Sequence, residues 1–180
     1  MICSGQDTTA FGKNFTIYRT SSTIKSNLYQ TATSSEYFHI SDIFGIPYEG
    51  KYLDEFTPVG SSWQTPVLST VNDPQGQTYT LTAIVRNTVI SRGGAFIING
   101  KNYTDVTNIK VEILDAYIYV AGFNLPITFS VQDVNEFFAP RYGLIKRTNQ
   151  MVAAITFPGQ SPQEIINTNS KLEQMSSSIQ

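Results

Sequence analysis

Gln77-Thr78-Tyr79-Thr80-Leu81-Thr82-Ala83-Ile84-Val85-Arg86-Asn87-Thr88-Val89-Ile90 is the stretch that decides the fold class. Tyr79, Leu81, Ala83, Val85 and Val89 share one parity. Thr78, Thr80, Thr82, Arg86 and Thr88 share the other, and only Ile84 breaks the polar side. A period of two over this length describes a strand with one face on a core and the other in water. Working forward, Arg92-Gly93-Gly94 predicts a turn and Ala95–Ile98 a short strand. Asn99-Gly100 predicts a two-residue hairpin, because both residue types tolerate positive φ. Asn102–Leu114 alternates again, with Ile109, Val111 and Ile113 inward and Asn108, Lys110 and Glu112 outward. Tyr117–Val120, Ile127–Val131, Glu136–Ala139, Gly143–Thr148 and Met151–Phe157 follow at close spacing, as in an antiparallel meander.

Working backward, Phe15–Thr20 and Tyr37–Ile43 read as strands, while Ser21–Ser35 is undecided. Phe44–Pro66 carries Gly45, Pro47, Gly50, Pro58, Gly60 and Pro66, which predicts a long, loop-rich connection. Cys3–Asn14 is polar and reads as part of a flexible leader over 1–14. At the other end, Ser161-Pro162-Gln163-Glu164 has the form of a helix start, with a Ser cap, Pro in the first turn and Glu reaching back. Ile165, Leu172 and Ile179 follow at heptad spacing with Met175 nearby, so 161–180 is expected as a short helix or a frayed tail. Between them, 15–160 is expected as a single antiparallel β domain. The fold class is mainly β: a meander sheet forming a half-barrel or a sandwich.

Composition points the same way. Of 180 residues, 14% are charged, against about 25% in an average domain, and Thr, Ser, Asn, Tyr and Phe take their place. Thr and aromatics suit a pleated, half-buried surface. The net charge of −2 comes with no basic stripe, which argues against a nucleic-acid partner. No apolar run reaches the roughly 18 residues of a membrane-spanning helix. One Cys and one His leave no internal disulfide and too few ligands for structural zinc, so no metal and no cofactor is expected.

Several residues could carry chemistry. Cys3 is placed like a lipid-attachment cysteine ahead of a polar segment, or is an ordinary thiol. His39 with Ser41 and Asp42 has the residue types of a triad but not its spacing, because Asp42 would point to the opposite face of a strand. A half-buried strand histidine accounts for it. Asp54-Glu55 with Glu49 falls short of the six to eight oxygens of a calcium site. Gly93-Gly94 lacks the Lys-Ser/Thr of a phosphate loop. Asn14-Phe15-Thr16 and Asn102-Tyr103-Thr104 match the glycosylation sequon, which counts only in a eukaryotic secretory pathway. Two aromatic groups stand out: Tyr117, Tyr119 and Phe123, then Phe137, Phe138 and Tyr142. They either fill the core or line a pocket for an apolar or carbohydrate ligand.

Three segments carry a resemblance: Val59-Gly60-Ser61-Ser62-Trp63; Asn99-Gly100-Lys101-Asn102-Tyr103-Thr104-Asp105-Val106 with Ile109-Lys110-Val111; and Glu136-Phe137-Phe138-Ala139-Pro140-Arg141-Tyr142-Gly143-Leu144-Ile145-Lys146. Together they resemble strand-turn elements of a loosely defined group of bacterial envelope proteins, mostly lipoproteins. Arg141-Tyr142 departs from the glycine and small apolar residue more usual there. The resemblance implies an antiparallel sheet, akin to half-barrel lipid or lipoprotein carriers, and an exported protein of the periplasm or outer membrane. It carries over no catalytic residues. The expected function is therefore a non-enzymatic binding or carrier module that meets the membrane only through a lipid on Cys3. The alternative is a structural or adhesive β-sandwich domain of a surface assembly.

Overall fold

The computed structural model describes residues 2–19, 27–33, 35–43, 46–72, 76–140 and 142–173. Within them the chain is all strand, in two antiparallel meanders joined by one short connection. The first sheet runs in sequence order through β1 (Ile2–Ala10), β2 (Lys13–Arg19), β3 (Asn27–Thr33), β4 (Glu36–Ile43) and β5 (Ile46–Asp54). The second runs through β6 (Ser62–Asn72), β7 (Thr78–Ile98), β8 (Lys101–Val120), β9 (Phe123–Ala139), β10 (Gly143–Ile155) and β11 (Gln163–Glu173). The sheets are not closed into a barrel.

The alternating stretch does what its pattern implies. Leu81, Ala83, Val85 and Val89 of β7 are buried with Ile109 and Ile113 of β8, on the face that receives β4 and β5. Tyr48 and Tyr52 of β5 pack into this core. Polar bonds fix the docking: the Lys51 carbonyl accepts from Trp63 Nε1 at 2.7 Å and from Asn87 Nδ2 at 3.2 Å. Asn87 continues the inward row of β7, and this bond is what makes an amide tolerable there.

Several expectations change. The polar stretch read as a flexible leader is β1, whose Thr8, Thr9 and Ala10 pair with Phe15, Asn14 and Lys13. The breaker-rich stretch holds β5 and the first part of β6, Ser62–Pro66. Pro47 and Pro66 are accommodated because β5 and β6 are edge strands, where a missing N–H need not break a ladder. Arg92-Gly93-Gly94 is no turn: it bulges inside one long β7, with register shifts between Val89 and Gly94. The expected C-terminal helix is instead β11, paired with β10 from Ile155↔Gln163 to Lys146↔Glu173. Met175 and Ile179 lie outside the described residues. Asn99-Gly100 is the expected hairpin, with φ of 50° and 78° and Ile98 opposite Lys101.

Candidate functional site

The bulges in β7 and β8 shape a cleft. Asp105 and Gly93 hold φ of 56° and 75°, and the ladder slips again before Phe96 pairs with Tyr103. Bulges bend and twist a strand. Beyond them the hairpin tip packs on the other face of the sheet, where Ile98, Tyr103 and Val106 bury Ala139 and Ile145. Phe137 and Phe138 record the change of side, since neighbours on a strand point oppositely. Phe137 meets Phe96 at 5.0 Å, whereas Phe138 stacks on Tyr52 at 4.6 Å.

The bend leaves a cleft of about 640 Å3 between the sheets at this end. Tyr52 and Phe138, each 2% exposed, form its floor. Tyr37 and Leu53 of the first sheet and Pro140 and Gly143 of the second form its walls. Its rim carries charge of both signs. Arg92 is held by donating to the carbonyls of Asp54 (2.7 Å) and Thr57 (2.8 Å) and reaches Thr107 Oγ1 at 3.5 Å, tying the β5–β6 connection to β7. The Tyr37 hydroxyl donates to Glu55 Oε1. That bond to a carboxylate, then burial and the Glu55 charge, push the phenol up to about 12. Asp105 has no bonded partner among the described residues.

A second, smaller cavity of about 90 Å3 lies between the sheets. Val111, Ile113, Val134 and Met151 give it apolar walls, and His39, Glu136, Arg147 and Asn149 give it polar ones. Glu136, 2% exposed, accepts from Arg147 Nε at 2.7 Å and from Arg147 Nη2 on the same oxygen. Burial pushes the Glu136 carboxyl up, but the Arg147 guanidinium outweighs it, with His39 adding to the same effect, and the net shift is below the usual range. Burial drives the His39 imidazole down to about 4, Glu136 opposing and Arg147 assisting. His39 is therefore neutral at pH 7, so Arg147 supplies the positive charge that holds Glu136 ionised. His39 Nδ1, Glu136 Oε2 and Asn149 Oδ1 have no hydrogen-bond partner among the described residues. Gly50, opposite His39 in the β4–β5 register, leaves room chiefly for the Tyr48 ring: a Cβ there would lie 3.0 Å from Tyr48 Cε2 and in ordinary contact, 3.5 Å, with His39 Nε2.

Tyr52 is the partition between the cavities, with His39 4.9 Å from its ring and Phe138 stacked on it. Sequence reasoning missed Tyr37, Tyr52, Arg92, Glu136 and Arg147. A usable signal existed for Glu136, which shares the parity of Val134 and Phe138 and so puts a charge in an inward row.

The aromatic residues singled out from sequence are divided. Tyr117, Tyr119 and Phe123 sit near the β8–β9 tip, 38–52% exposed, and line neither cavity. Phe138 alone reaches the cleft. Phe137 and Tyr142 belong to the cluster on the other face, where Tyr142 meets Tyr103 edge-on at 5.2 Å. Cys3 lies in β1 opposite Tyr18. Asp54 and Glu55 serve the β5–β6 connection, Asp54 Oδ1 accepting from the Phe56 amide at 3.0 Å. Ser41 and Asp42 follow His39 in β4. Among the described residues no His, Cys, Asp and Glu group is arranged to hold a metal ion.

No family model matches the chain, and no curated protein or solved structure is detectably similar to it.

Proposed function

We propose that the protein is a non-enzymatic binding module of a bacterial cell envelope whose ligand, apolar or carbohydrate, occupies the cleft above Tyr52 and Phe138. One observation carries this reading: the cleft of about 640 Å3 is built by bulges that turn a hairpin away from the opposing sheet. Ligand sites typically measure about 300–1,000 Å3, with apolar walls and a few placed polar groups, and Tyr37, Glu55, Arg92, Asp105 and Thr107 supply the polar groups here. The envelope location, with a lipid on Cys3, rests on the resemblance of the strand-turn segments to envelope lipoproteins.

Leu53 lines the cleft and is half-buried, so Leu53→Trp places a large ring in it. In a fragment screen by ligand-observed NMR, the hits should compete for one site and be lost in Leu53→Trp. Hits that persist in a folded Leu53→Trp protein would contradict the proposal.

The exposed Tyr117, Tyr119 and Phe123 favour a second reading, a structural or adhesive domain that uses its surface. Hits insensitive to Leu53→Trp but lost in Tyr119→Ala would support it.

A further inference from the structure

Resting on that reading of the cleft, we infer that its ligand is a carbohydrate. The charged rim above apolar walls separates this class from lipids and other wholly apolar ligands. Tyr52 and Phe138 are stacked and 2% exposed, so their faces are already taken by the core. A ligand meets the half-buried Tyr37 ring, Leu53 and Pro140 along the walls, and Glu55, Arg92 and Asp105 at the rim.

An apolar ligand lying there would strip water from two carboxylates and a guanidinium and give no hydrogen bonds in return, which is costly. A polyol replaces that water group for group. Glu55 Oε2 and both Asp105 oxygens accept from hydroxyls, and the Thr107 hydroxyl can do either. Arg92 donates: its Nη1 makes one bond, a long one to Thr107, and so retains donor capacity. Tyr37, fixed by its bond to Glu55, presents a ring face for the C–H side of a sugar. The rim sums to one negative charge from these two carboxylates and Arg92, which disfavours phosphorylated or carboxylated ligands. The volume takes an oligosaccharide of a few rings.

The test titrates the full chain calorimetrically with neutral trisaccharides (β-1,4-glucan, α-1,4-glucan, xylan and chitin fragments) and with the uncharged apolar dye N-phenyl-1-naphthylamine. At least one trisaccharide should bind saturably, with Asp105→Asn and Tyr37→Ala each weakening it by about tenfold or more. Asp105 is exposed, so its conservative variant keeps the test interpretable if Tyr37→Ala fails to fold. Dye binding with no trisaccharide binding up to about 10 mM would overturn the carbohydrate class and leave the cleft as the site. Trisaccharide binding that neither variant weakens would overturn it too. Absence of binding by either probe would remove the cleft reading and this inference together.

Discussion

Glu136 and Arg147 face each other across the β9–β10 ladder, and between them they decide how a carboxylate survives 2% exposure in a sheet interface. Removing one partner of such a pair leaves a buried uncompensated charge, which is why Arg147 is as much a structural residue as Glu136. His39 gives this cluster a pH signature. Its folded value, about 4, lies below the ordinary 6.5, so the unfolded chain binds the proton more tightly between those values. The stability it contributes is complete above about pH 6.5 and is lost as pH falls toward 4. From pH 7 to 5 the loss should be roughly 2 kcal/mol, read as a fall in the urea midpoint at constant slope. His39→Gln should flatten that interval, and because the chain has one histidine the assignment is clean. An unchanged pH slope in His39→Gln would refute it. The sequence displayed His39 as a strand histidine, and it is one. What it did not display was the partner set, since Glu136 and Arg147 lie about a hundred residues away and meet His39 only when the sheets dock.

At the scale of elements, local signals held where a short stretch determines its own geometry. Asn99-Gly100 turns with both φ positive, and Phe11-Gly12 and Ala121-Gly122 repeat the pattern at 49° and 75° and at 49° and 85°. Gly100→Val should cost roughly 1–3 kcal/mol because a β-branched residue is strained at φ 78°. Ala121→Asn should stabilise by roughly 0.5–1 kcal/mol, since Asn tolerates the left-handed region better than Ala. Chemical denaturation checks both, and equal stability of Gly100→Val and wild type would contradict the turn. Signals failed where pairing overrides them. Asn102–Leu114 and Tyr117–Val120 are one strand, β8, divided in the sequence by Asp115, which holds φ of 45°. Ile127–Val131 and Glu136–Ala139 are likewise one strand, β9. A bulge adds a residue and flips the parity, so alternation reads as a boundary where the ladder continues. At β11 the helix-like Ser161-Pro162 start and heptad spacing lose to ten paired positions on β10 and the packing of Ile166 on the core.

For the whole molecule, the two meanders touch through β4 and β5, and the interface is not uniform. Around Leu81, Val85 and Ile113 it is apolar. Its polar chamber holds Glu136, Arg147 and His39, and its bulged end opens into the cleft. The cleft was not legible in the sequence, because it depends on where a hairpin bends and which sheet lies opposite. The aromatic-lined pocket expected from Tyr117 to Tyr142 becomes three places in space, with Phe138 the member that reaches the cleft. Backbone amide mapping by NMR, with whichever oligosaccharide or fragment binds tightest, locates the ligand on the sheets. With the ligand in the cleft, shifts concentrate on Leu53, Glu55, Arg92, Gly93, Asp105 and Thr107. Shifts concentrated instead on Tyr117, Tyr119 and Phe123, or on His39, Arg147 and Asn149, would contradict that placement.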